Sequence, residues 1–336
     1  MTILRCLVAL SLGVGGAAWA KDAKPLFQSS DVLRITFKGQ VGSASDTPRA
    51  GSIIIGDETL PMTFTERGIT RRKKDICPFP PLRVSFTQPP AATSQFAKQK
   101  RLKLVTHCRS GTDFQQFVLL EYAAYKMFSR LTPVSFGARL AMIDYVADNG
   151  KPIASRYGFF IEDTDHMASR NGLKEPKTPD RVPSSILSPA YAARYGMYQH
   201  MLGNHDWSMR AGPAGEGCCH NGKLVGPLPG STLLAPVPYD FDFSGMVGTP
   251  YATPPDQLPI NNVRERLYRG YCAHNSQALQ VAAEMRAAKG ELLGILAATP
   301  GLNERARDRA TAYLEKFFAD IATDQLVTSK VLKNCL

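Results

Sequence analysis

The 336-residue chain is poor in long apolar runs. Beyond its amino end no stretch approaches the roughly 20 apolar residues that a bilayer span takes. It has no alternation of basic and aromatic residues along one element and no zinc-finger or RNP-type motif, which argues against nucleic acid as a partner. There is no G-x-S-x-G elbow, so a serine hydrolase would lack its nucleophile turn, and Ser208 and Ser244 read as loop residues. No internal repeat and no low-complexity tail interrupts the chain. Acidic residues are in the minority, 29 against 40 Lys and Arg.

What is present starts with MTILRCLVALSLGVGGAAWA: one charge at Arg5, a short apolar stretch, and Ala18-Trp19-Ala20 before a polar restart at Lys21. This is the layout of a secretory signal peptide, so residues 1–20 are expected to be cleaved. The mature protein is expected to be exported, to the periplasm or beyond, with no transmembrane segment. Removing Arg5 leaves 39 basic against 29 acidic residues, a net charge of +10. Runs such as Arg71-Arg72-Lys73-Lys74 and residues 98–103 suit an anionic surface or a phosphorylated ligand. A solvated basic face accounts for any one run equally well.

Six cysteines follow the signal segment: Cys77, Cys108, Cys218, Cys219, Cys272 and Cys335. An even count in an oxidising compartment predicts up to three disulfides. Cys77 with Cys108 is the expected amino-terminal pair, the other four pairing among themselves. Zinc at Cys218, Cys219 and His220 is the disfavoured alternative, because adjacent cysteines close a tetrahedral site poorly.

Residues 32–38, 52–55, 82–87, 101–106, 139–146 and 157–162 carry β-branched or alternating patterns and read as strands. Residues 114–131 read as a helix on which Phe117, Leu120, Tyr125 and Phe128 share an apolar face. A helix over 190–202 precedes a Gly-, Pro- and Cys-rich stretch over 203–259, and 275–296 and 303–322 read as further helices. The order predicts an α+β protein with a β-rich first lobe (21–163) and a mainly helical second lobe (164–336).

Three pieces suggest chemistry. Lys103 lies on a strand with Glu121 on the next helix; Gly203-Asn204-His205-Asp206-Trp207-Ser208 follows a helix; Tyr239-Asp240-Phe241-Asp242-Phe243 comes later. Phosphoryl transfer needs a cation on the phosphates, a carboxylate to orient it, a carboxylate at the attacking hydroxyl, and oxygen ligands for Mg²⁺. In that reading Lys103, Glu121 and Asp206 are catalytic and Asp240 and Asp242 hold the metal.

With LKLVTHC, EYAAYKMFSRLTPVSFGARLAMIDYV and YGFFIED ahead of GNHDWS and YDFDFSG, roughly residues 60–250 resemble the CotH-like spore-coat kinase family. The resemblance implies a two-lobed protein-kinase-like fold using Mg²⁺ and ATP or another nucleotide, with a protein or other envelope hydroxyl as acceptor. It also implies that Glu162 lies beside the nucleotide base and that Asn221 is a metal ligand. Asn221 is fifteen positions after Asp206, where kinase loops place it about five on. No kinase Gly-rich loop is present. A non-catalytic, pseudokinase-type binding or envelope-structural protein is the rival. Gly203-Asn204-His205-Asp206 also spells a metallophosphoesterase signature, but of the upstream histidines only His166 has an aspartate close before it, at the wrong spacing for D-x-H, and a helix-like segment rather than a strand precedes GNHD.

Overall fold

A computed structural model describes residues 24–336; the expected signal segment, 1–20, and the predicted new terminus at Lys21 lie outside them. Among the described residues no helix is long and apolar enough to cross a membrane.

After a short helix α1 (Pro25–Gln28), seven strands form one sheet: β1 (Leu33–Lys38), β2 (Arg49–Ile55), β3 (Glu58–Glu66), β4 (Leu82–Phe86), β5 (Arg101–Val105), β6 (Ala138–Val146) and β7 (Pro152–Ile161). Their order, β1-β2-β3-β4-β5-β7-β6, closes on itself, because β1 pairs in parallel with β6, Leu33 opposite Ala141. Alternation drives the closure. In β3, Leu60, Met62 and Phe64 turn into the barrel while Thr63 and Thr65 stay half-exposed, and β4 and β5 repeat the pattern.

Helix α2 (Phe114–Leu131) is buried almost all round, from Val118 and Leu119 to Met127 and Phe128. A helix apolar on every side needs partners on every side. It packs on β7 and on two carboxy-terminal helices, α6 (Lys289–Ala298) and α7 (Glu304–Asp320). Between them come α3 (Thr164–Arg170), α4 (Pro189–Leu202), a ribbon of β8 (Gly222–Val225) and β9 (Ala235–Pro238), and α5 (Asn275–Ala287).

The expected two-lobed kinase-like fold is therefore corrected. The strands form a closed seven-stranded barrel rather than an open lobe sheet. One apolar core runs from Val105 and α2 through α4 to Phe317 and Val331, and a second, from Leu26 to Phe160, fills the barrel. Within the elements, residues 275–296 are two helices meeting at Ala288, and β8 and β9 lie inside the stretch read as loop. The disulfides are Cys77–Cys108, Cys218–Cys219 and Cys272–Cys335. With both sulfurs of the vicinal pair in a disulfide, the zinc alternative is gone.

Candidate active site

A cavity of about 630 Å³ lies against the outer face of β3–β5 and is walled opposite by the segments after α4 and β9. Its lining includes Lys103, Asp206, Asn221, Asp240 and Asp242. Local sequence explains how they arrive there. Helix α4 starts on Pro189 and stops at Gly203, whose φ of +61° is left-handed. A Cβ at Gly203 would lie 1.9 Å from the Tyr313 hydroxyl, so glycine is required for the sharp stop. The chain then turns, with the Asp206 amide donating to Asn204 Oδ1 at 3.1 Å, and presents Asp206 to the cavity. Asp240 follows β9 at φ +65°, a conformation uncommon outside glycine. Its amide donates to the Tyr125 hydroxyl at 2.8 Å, which fixes the turn onto α2.

Asp206 is held from two sides. His220 Nε2 donates to Oδ1 at 2.7 Å, and Asn221 Nδ2 donates to Oδ2 at 2.9 Å and to the Asp206 carbonyl at 2.7 Å. The hydrogen bond to Asp206, against the cost of burial, raises the pKa of His220. Asn221, expected on the metal, spends its Nδ2 on Asp206. The segment that follows Asp206 brings His220 and Asn221 back to it together.

The second carboxylate centre is deeper. Oxygen atoms of Glu121, Asp240 and Asp242 lie within 4.8 Å of one another. The Arg71 guanidinium sits among them: Nη1 on Glu121 at 3.1 Å, Nη2 on Asp240 at 2.7 Å, Nε on Asp242 at 3.2 Å. Burial opposes ionisation of all three acids. At Asp240 the Arg71 and Arg67 charges outweigh it and lower the pKa; at Asp242 and Glu121 burial wins, with the Asp240 charge adding to it, and the pKa rises. Tyr251 donates to Asp242 Oδ2 at 3.0 Å.

The expected Lys103–Glu121 pair is thus replaced by Arg71–Glu121. Arg71 comes from a 3-10 turn, Thr70–Arg72, inside the run read as a basic surface. That turn leads into the Cys77–Cys108 disulfide and the Arg109 Nε to Ile76 carbonyl bond of 2.8 Å, which tie the segment down. No sequence spacing announced Arg71; its burial is the signal, and burial is not local. Lys103 instead lies over Tyr239, 4.7 Å from the ring centroid, and near Phe136. Burial, then the neighbouring positive charges of Arg67 and Lys223, push its amine down to about 7. Glu162 does not line the cavity. It is buried against Arg170, at 3.0 Å, and accepts the Gly137 amide at 2.8 Å, a pairing that holds the end of β7.

His205 of the metallophosphoesterase-like GNHD turns away and donates from Nε2 to the Glu265 carbonyl at 2.8 Å. Among the described residues the one cluster suited to a metal contains no histidine. That arrangement gives the phosphoesterase reading no support.

Comparison with known proteins adds little. No family model matches the chain, and no curated protein matches it. Among solved structures it is similar to the Helicobacter pylori proinflammatory kinase CtkA, over 90% of this chain and 100% of that one, at 9% identity and a TM-score of 0.41. A likeness that loose carries no argument, and the functional reading rests on the site.

Proposed function

We propose that the cavity is a phosphoryl-transfer site that takes a phosphoryl donor, ATP or another nucleotide, and passes the group to a hydroxyl of a protein or envelope component outside the cytoplasm. One observation carries the reading: the Lys103 amine faces a cavity that also presents an acid, Asp206, oriented by two donors. Lys103 has no carboxylate partner among the described residues, and burial has brought its amine to about 7. A phosphate arriving beside it restores the charged form and accepts its hydrogen bond. Asp206 takes the acceptor hydroxyl's proton; His220 and Asn221 fix its direction.

The donor set of Glu121, Asp240 and Asp242 is all carboxylate oxygen, which fits a hard cation such as Mg²⁺. When bound, such an ion neutralises charge on the phosphoryl oxygens. Arg71 now compensates the same carboxylates, an observation that favours a second reading: a non-catalytic protein that binds a phosphorylated ligand.

Calorimetry with nucleotide, with and without Mg²⁺, together with a transfer assay, separates the two. Asp240→Asn is expected to weaken Mg²⁺-dependent nucleotide binding strongly, and Lys103→Ala to resemble it. Asp206→Asn is expected to leave binding within about twofold and to abolish transfer, because its work is on the acceptor. Binding with no transfer in the parent supports the second reading. A parent that binds no nucleotide removes both.

A further inference from the structure

We propose that the barrel wall of the cavity is built to hold a chain of three or more phosphoryl groups, gripped by Arg67 and Arg83 together with Lys103. This rests on the phosphoryl-transfer reading and names what the donor must carry. Thr65 of β3 is directly opposite Arg83 of β4, and Arg83 is directly opposite Lys103 of β5. Directly opposed residues share a face of the sheet, on strands about 4.8 Å apart. Their neighbours along the strands, Phe64, Leu82, Val84, Leu102 and Leu104, are buried inside the barrel. The row therefore faces outward, and all three of its members line the cavity, as does Arg67 just past the end of β3.

Like charges directly opposite one another destabilise a sheet. Other cations around the cavity are already compensated: Arg72 by Glu66 at 3.0 Å, Arg101 by Asp163 at 3.1 Å, Lys223 by Glu175 at 2.9 Å, and Arg71 as described. Among the described residues no carboxylate forms an ion pair with Arg67, Arg83 or Lys103. Three cations without an ion-pair partner thus line one wall, and after burial the Arg67 charge is what lowers the Lys103 amine most. An elongated polyanion relieves like-charge repulsion along the row, whereas a lone orthophosphate bridges only one interval of it. None of the three cations reads a base, so affinity resides in the phosphoryl chain, whether a nucleoside terminates it or not.

The test uses the full mature chain at low salt without added metal, with inorganic tripolyphosphate, ATP, orthophosphate and adenosine as probes in calorimetry and thermal shift. Tripolyphosphate and ATP are expected to bind, orthophosphate at least about tenfold more weakly, and adenosine not at all. Arg67→Gln and Arg83→Gln should each weaken both polyphosphates about tenfold, the usual scale of one charge-assisted hydrogen bond. Without any anion, Arg83→Gln should melt no lower than the parent, because it removes a repulsion; a merely structural arginine would not behave so. ATP binding tighter than tripolyphosphate identifies a nucleotide as the source of the chain, and equal binding assigns the chain alone. The proposal is overturned, with the phosphoryl-transfer reading intact, if ATP binds but neither Gln variant weakens it, or if ATP binds and tripolyphosphate does not. If the parent binds neither, both fall together.

Discussion

Two carboxylate centres face one cavity and are neutralised in opposite ways. Glu121, Asp240 and Asp242 surround a full guanidinium in a place where the Arg71, Glu121 and Asp242 side chains are each under 10% exposed. Asp206, about a third exposed, is satisfied by an imidazole and an amide. Buried acids need a resident positive charge, because desolvation is expensive. A half-open acid can be held by hydrogen bonds alone and keep an edge free for a ligand. The first centre therefore depends on a resident positive charge, and the second keeps part of its carboxylate open to the cavity.

The sharpest way to break that contrast is Arg71→Met. It leaves buried acids without their partner and should cost about 3–5 kcal/mol, read as a lower urea midpoint. Added Mg²⁺ should recover part of the loss if the three carboxylates accept the ion. A parent-like midpoint would show that Arg71 is not the charge on which the deep centre depends.

The disulfides should differ next. Cys77–Cys108 closes a long loop beside the Arg71 turn, and Cys272–Cys335 a longer one. Replacing either pair with serine should cost about 2–4 kcal/mol, measured by thermal melting. Cys218–Cys219 joins adjacent residues and removes almost no loop entropy from the unfolded chain. Its loss should be felt instead at His220 and Asn221, as a weakened hold on Asp206. Equal stability losses for all three pairs would contradict this.

The histidines sharpen the comparison through pH. Burial pushes His200 down to about 3 and His107 down to about 4. Both stay neutral in the folded protein where the unfolded chain, with pKa near 6.5, is protonated, so stability falls as pH falls below that value. Between pH 7 and 4.5 each should cost about 1–3 kcal/mol, and His107→Gln should flatten its share of a melting-temperature profile. His220, raised by Asp206, acts with the opposite sign. Its contribution is present below the unfolded pKa and is lost as pH rises through the higher folded value.

The smallest expected effect is on the stability of Asp206→Asn. At a half-open site the change should be under about 1 kcal/mol in the melting curve, even where transfer is abolished. A loss comparable to that of Arg71→Met would erase the distinction between the centres.

How much of this is legible in sequence follows from how local each cause is. Strands β1, β4 and β5 and helix α2 declare themselves by period. Strand β3 is masked by Pro61, and β8 and β9 by brevity and prolines, although pairing satisfies their backbones. The barrel's closure is invisible because the β1–β6 pairing has no local signature. At the site, Lys103, Asp206, Asp240 and Asp242 stand out as residue types at suggestive spacings. Arg71 does not, since a buried arginine and a solvated one look alike in a basic run. Arg67 and Arg83 become conspicuous only once strand register sets Arg83 against Lys103.

The parallel seam between β1 and β6 also governs the order in which the molecule can be assembled. As the chain is made, β1 can find β2 at once, but its other edge stays open until β6 has been synthesised, after α2. Pairings between distant segments form slowly, because loop-closure entropy must be overcome first. The cationic row on β3–β5 sits in the stretch spanned by that seam. The cavity therefore gains its cationic wall in final form only when β7 joins β5 to β6 and locks the ring, and a nascent chain stopped before residue 152 has no closed barrel to offer.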